Sequence, residues 1–247
     1  MQLLVSVRSE EEVADALAGG ADIIDAKEPA RGSLGPVTAA VLRRIAVRVP
    51  EPVPLSVALG DLTAPDAVRA AVAAAGAVAP VRTAPVYLKL GFARERSSAR
   101  VSGLLESARA AAGGTPIARC LLVAVAYADA EAAGSPPPED MLRSAIAAGA
   151  DALLLDTCVK DGRTLLDHAS LARLAALSAA ARVAGLLFAV AGSLDLGSID
   201  RVAGLADVVG VRGAACLGGR EGRVDAARVG ELRRRLAHPR PVLSTSE

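Results

Sequence analysis

The chain has 247 residues, 52% of them hydrophobic and 22% charged, and a formal net charge of +1. Such a chain has ample material for a core, and its length allows one large domain or two small ones. Near-neutral charge and only four aromatic residues argue against nucleic acid as a partner, and no apolar run approaches the roughly 20 residues of a membrane span, so a cytoplasmic protein is expected.

Along the chain, short β-branched or leucine-rich runs alternate with alanine-rich segments of helical period. Strands are predicted at 2–7, 22–26, 54–59, 86–90, 120–126, 152–156, 186–191 and 207–211. Helical patterns follow them near 9–18, 36–48, 65–78, 97–112, 138–148, 167–183, 197–204 and 225–236. Almost fully apolar strands joined by helical crossovers imply a parallel sheet, and eight such units in this length point to a (β/α)8 TIM barrel over residues 1–236, followed by an irregular tail, 237–247. A doubly wound open sheet is the alternative, but no G-x-G-x-x-G follows the first strand. Gly20-Ala21-Asp22, Gly149-Ala150-Asp151 and Leu205-Ala206-Asp207 lead into strands two, six and eight, where a glycine suits a left-handed helix cap and an aspartate suits the turn. These three aspartates are read as structural.

Of the 28 basic residues only Lys27, Lys89 and Lys160 are lysine. All three fall at the C-terminal ends of predicted strands two, four and six or just beyond, where barrel enzymes carry their chemistry. Arginine replaces lysine at most solvated positions but stays protonated, whereas a lysine amine can lose its proton and form an imine with a carbonyl. Asp25 lies two residues before Lys27, on the same strand face, and Asp156 ends strand six. A cluster of two carboxylates and three amines results, in which neighbouring cations and burial hold one lysine neutral while the carboxylates exchange protons.

The last two strand-to-helix junctions supply small residues for a phosphate cradle: Gly192 and Ser193 after strand seven, and Arg212 and Gly213 after strand eight, with Arg212 adding a charge-assisted contact. The loop Arg31-Gly32-Ser33-Leu34-Gly35 is a weaker candidate to close over a ligand or to hold a second phosphate. Asp61, Tyr127 and Asp129 occupy rim positions and are read as structural ahead of substrate contact. His168 falls on the helix after Lys160 without a partner, and Cys120, Cys158 and Cys216 have neither the spacing nor the histidines for a zinc site, so no metal is expected. Cys158 is read as a packed small residue.

Read together, Ile23-Ile24-Asp25-Ala26-Lys27, Gly32-Ser33-Leu34-Gly35, Leu88-Lys89-Leu90-Gly91, Tyr127-Ala128-Asp129, Leu155-Asp156-Thr157 with Lys160-Asp161-Gly162, Ala191-Gly192-Ser193 and Val211-Arg212-Gly213-Ala214-Ala215-Cys216 resemble, in order and spacing, the (5-formylfuran-3-yl)methyl phosphate synthase family. The resemblance extends over nearly the whole chain. It implies a lyase that joins two molecules of glyceraldehyde 3-phosphate and releases one phosphate and two waters, yielding 4-(hydroxymethyl)-2-furancarboxaldehyde phosphate. It also implies Lys27 as the Schiff-base lysine, Lys89 as a proton-transferring lysine, and Asp25, Asp156 and Lys160 as the other polar members of the site. Proton transfer, addition and elimination suffice for every step, so no cofactor is called for. The expected partner is the triose phosphate, and a homo-oligomer is left open. A Schiff-base aldolase that stops after carbon–carbon bond formation, or a non-catalytic phosphate-binding barrel, are the competing readings.

Overall fold

Eight strands close into a barrel in which every neighbouring pair is parallel. They are β1 (Gln2–Val7), β2 (Ile23–Ala26), β3 (Leu55–Asp61), β4 (Val86–Gly91), β5 (Cys120–Tyr127), β6 (Ala152–Asp156), β7 (Leu187–Val190) and β8 (Val208–Val211). β8 returns to β1 through Gln2↔Val208 and Val5↔Val211. The computed structural model describes residues 1–239, so the expected tail lies outside the described residues from 240 onward, and residue 237 still belongs to the last helix.

Helices α1 (Val13–Ala18), α2 (Ala39–Arg48), α3 (Pro65–Ala75), α4 (Ser98–Gly113), α5 (Ala130–Ala133), α6 (Pro138–Ala147), α7 (Leu171–Val183), α8 (Leu196–Val202) and α9 (Ala226–Ala237) surround it. Their starts are written in the sequence: Thr38, Ser97 and Ser170 each accept a backbone N–H from three residues on, and α3 and α6 open on proline, whose missing donor costs nothing there. Apolar stripes at helical spacing, such as Leu42, Ile45 and Ala46 on α2 and Val229, Leu232 and Leu236 on α9, are the faces that bury.

Three features depart from the expected pattern. α5 is one extra turn after β5, and β9 (Cys216–Leu217) with β10 (Arg223–Val224) forms a small antiparallel hairpin after β8. The seventh helix begins at Leu171 rather than near 167, because Thr164 and Asp167 cap each other around a separate 3-10 turn, and His168 ends that turn.

At the N-terminal rim the three aspartates do the same job. Asp22, Asp151 and Asp207 each accept the backbone N–H of a residue on the preceding strand: Leu3 at 2.8 Å, Leu122 at 2.7 Å and Phe188 at 2.9 Å. Gly20 and Gly149, just upstream, take φ values of 91° and 64°, as left-handed helix ends require.

Leu3, Val5 and Val7 of β1 point outward and pack on the helices, while Leu4 and Ser6 point inward, and the main core is the layer between strands and helices. The inner face is unusual for a barrel, whose interior is normally filled by branched side chains. Here Ser6, Ser56, Ala152, Ala189 and Gly210 line it and leave a cavity of about 260 Å³. That cavity runs from the mouth at the C-terminal ends of the strands down to Leu4, Ile23 and Leu187 near their N-terminal ends.

Asp207→Ala leaves the Phe188 N–H without its acceptor far from the mouth. It is expected to lower stability by about 1–3 kcal/mol in urea unfolding, with the chemistry at the mouth unaffected in the folded fraction.

Candidate active site

Strand period carries Asp25 and Lys27 to the same inner face, and Asp25 is completely buried. Its Oδ2 accepts a 2.7 Å hydrogen bond from Ser6 Oγ on β1, and Lys89 Nζ from β4 stands 2.7 Å from its Oδ1. Across the mouth, Asp156 Oδ1 accepts from Lys160 Nζ at 3.0 Å and from the Thr157 N–H at 2.7 Å, and Lys160 also donates to Thr157 Oγ1 at 2.9 Å. Each carboxylate therefore has its own lysine. Lys27 makes no ion pair among the described residues, although both carboxylates and both other lysines act on it electrostatically.

Charge counting decides the protonation. Burial alone would push Asp25 and Asp156 up, but the lysines beside them hold both below the usual carboxylate range: Lys89 and Lys27 for Asp25, Lys160 and Lys27 for Asp156. Burial, reinforced by the Lys89 charge, pulls the Lys27 amine down to about 8 against the attraction of Asp156 and Asp25. At pH 7 an amine of that pKa is neutral about one time in ten, against about one in three thousand for an ordinary lysine. The Lys27 amine can therefore present a free lone pair near neutral pH.

Gly192, Ser193 and Gly213 also line the cavity, so the structure brings the small-residue loops after β7 and β8 to the five charged residues. Gly192 and Ser193 both have positive φ, 109° and 52°, which turns the chain sharply at the mouth.

Arg212 also lines the cavity, where a phosphate contact is expected of it, but all five of its N–H donors are committed within the protein. Nη1 and Nη2 grip the Glu12 carboxylate at 2.5 and 3.0 Å, and the rest go to the carbonyls of Ser6, Arg220 and Gly222. Both side chains of this pair are buried, and it ties β1 to the loop after β8. A second guanidinium lines the cavity, that of Arg220, which no strand or helix pattern in the sequence singles out. Its Nη2 holds the carbonyls of Pro29 and Gly32, while Nε and Nη1 have no partner among the described residues. Burial pushes its pKa down and the charge of Asp156 pulls it back up. The available signal was an arginine between glycines, Gly218-Gly219-Arg220-Glu221-Gly222, just beyond the eighth strand.

The other rim candidates hold loops. Tyr127 donates to Asp61 Oδ1 at 2.7 Å and meets Ser33 Oγ at 3.3 Å, and Asp61 also accepts the Ala93 N–H. Gly91 lets them pass: a Cβ there would sit 2.4 Å from Asp61 Oδ1 and 2.5 Å from Tyr127 Oη. Asp129 accepts the N–H groups of Cys158 and Val159 at 2.8 Å, shaping the loop that carries Lys160. The loop Arg31–Gly35 lies outside the cavity lining, tied down by Arg220 and Tyr127. Burial and the charges of Asp61 and Asp129 push the Cys158 thiol up to about 11, which disfavours its thiolate.

Comparison with known proteins places the chain in a family. A family model described as 4-HFC-P synthase matches residues 3–233. The chain is 38% identical over 240 residues to the (5-formylfuran-3-yl)methyl phosphate synthase of Methanothermobacter thermautotrophicus, covering 96% of this chain and 99% of that one. It is 35% identical over 236 residues to the protein of the same name from Methanocaldococcus jannaschii, covering 94% and 98%. Among solved structures, phosphoribosyl anthranilate isomerase from Thermus thermophilus superposes with a TM-score of 0.60 at 16% identity, covering 97% of this chain and 100% of that one, a likeness of fold alone.

Two outcomes test the electrostatic reading. Reductive alkylation of Lys27 by a small aldehyde, followed by mass spectrometry, is expected to rise with pH through about 8, and Lys89→Met is expected to move that midpoint upward, because a neighbouring cation is lost and the Asp25 charge is freed. Glu12→Ala strands the buried Arg212 charge and is expected to lower stability by about 3–5 kcal/mol in denaturant unfolding.

Proposed function

The chain belongs to the 4-HFC-P synthase family, and on that premise we propose that it joins two molecules of glyceraldehyde 3-phosphate through an imine on Lys27 to form (5-formylfuran-3-yl)methyl phosphate. Atoms balance if the two trioses lose one phosphate and two waters. The observation that carries the reading is the Lys27 amine, buried without an ion pair of its own between two carboxylate–lysine pairs and pulled down to about 8.

The neutral amine adds to a triose carbonyl and water leaves, giving an iminium that acidifies the adjacent carbon. Loss of that proton makes an enamine, which attacks the aldehyde of the second triose. Lys89, held by Asp25, and Lys160, held by Asp156, flank Lys27 and serve as the proton donors and acceptors for dehydration, ring closure and phosphate loss. The phosphate groups are assigned to the mouth, where the open donors of Arg220 and the turns at Gly192, Ser193 and Gly213 meet. Proton transfer, addition and elimination account for every step, so the proposal calls for no redox or metal cofactor.

Incubation with glyceraldehyde 3-phosphate and borohydride is expected to give a reduced adduct on Lys27, accompanied without borohydride by furan absorbance and one phosphate per ring. Lys27→Arg is expected to lose activity by on the order of 10³-fold or more. An adduct elsewhere sinks the imine assignment. An adduct on Lys27 without furan means an aldolase, and no adduct with no furan means a phosphate-binding barrel.

A further inference from the structure

β3 reads Leu55-Ser56-Val57-Ala58-Leu59, and the two-residue period turns Ser56 into the barrel. In register it stands between Asp25 of β2 and Tyr87 of β4. Ser6, on the other side of Asp25, gives its hydroxyl to that carboxylate. Ser56 gives its hydroxyl to nothing: the residue is fully buried, Oγ has no hydrogen-bond partner among the described residues, and the side chain lines the cavity.

A buried hydroxyl without a protein partner weakens the fold, and alanine would occupy the same place without that penalty. The hydroxyl makes sense as a contact for whatever enters the cavity. The shape of the cavity says which part that is. Cations stand at the mouth: Lys27, Lys89, Lys160 and Arg220. The lower walls are apolar, with Leu4, Ile23 and Val123 among them. A phosphate therefore belongs at the mouth, and an uncharged carbon skeleton fits against the apolar walls, with Ser56 beside Asp25 in the lining.

Resting on the furan-forming reading above, we infer that Ser56 is a substrate-contacting residue whose hydroxyl hydrogen-bonds the oxygen at the non-phosphorylated end of the carbon skeleton, with the ring seated in the apolar lumen and the phosphate at the mouth. Ser56 thereby sets which end of the molecule goes down.

Two ligands that cannot form an imine test this: (5-hydroxymethylfuran-3-yl)methyl phosphate, which keeps that oxygen, and (5-methylfuran-3-yl)methyl phosphate, which lacks it. Titration calorimetry on the full chain is expected to show Ser56→Ala binding the hydroxymethyl compound about 3- to 10-fold more weakly and the methyl compound as the unaltered protein does, with a melting temperature equal or higher. Ser56→Cys, a near-isosteric weak donor, is expected to fall between. Equal weakening toward both ligands, or toward neither, overturns the assignment while the furan reading stands. An unaltered protein that binds neither ligand removes the furan reading and this assignment with it.

Discussion

Three ammonium groups and two carboxylates share one buried space, and the odd cation organises the rest. Asp25 is matched by Lys89 and Asp156 by Lys160, at 2.7 and 3.0 Å. Removing one carboxylate would leave its lysine buried and unpaired, whereas a third carboxylate would pair Lys27 and keep it charged. With the balance as it stands, the cheapest way to relieve the excess charge is to release a proton from the lysine that has no partner. The chemistry of the site follows from its stoichiometry as much as from any single distance.

That arrangement needs room inside a barrel, and the room comes from small residues. Serine, alanine and glycine on the inner faces of β1, β3, β6, β7 and β8 leave the volume that branched side chains occupy in most barrels. Core packing is kept in the outer layer, where the helices seal the backs of the strands. A smaller cluster that includes Val123, Val125 and Leu154 packs on the inner face beside the cavity.

Much of this was legible in the chain. Apolar strands alternating with capped helices determine a parallel barrel, and two-residue periodicity places Asp25 with Lys27 at its mouth. The pairing of Asp25 with Lys89 was not legible, because it brings side chains from β2 and β4 together, which no local pattern encodes, whereas Asp156 and Lys160 lie only four residues apart. Arg212 shows the same limit. Its position after β8 suits a phosphate contact, and only the return of Glu12, 200 residues away in sequence, reveals that its donors are already taken. Arg220 went unread because it lies in the hairpin insertion, which has neither strand nor helix periodicity to place it.

Arginine and lysine differ in how readily they give up a proton, and they occupy different places in this fold. The guanidinium keeps its charge and its planar array of donors, so it suits fixed joints: Arg212 fastens β1 to the loop after β8, and the buried Arg82 donates to the carbonyls of Val49 and Val53. Arg220 fastens the loop after β2 in the same way and also lines the cavity. An amine is a poorer joint and a better acid, and the three lysines of the chain all line one cavity. The amines, which can change protonation, are thus gathered at one cavity, while guanidinium groups fasten the segments around it.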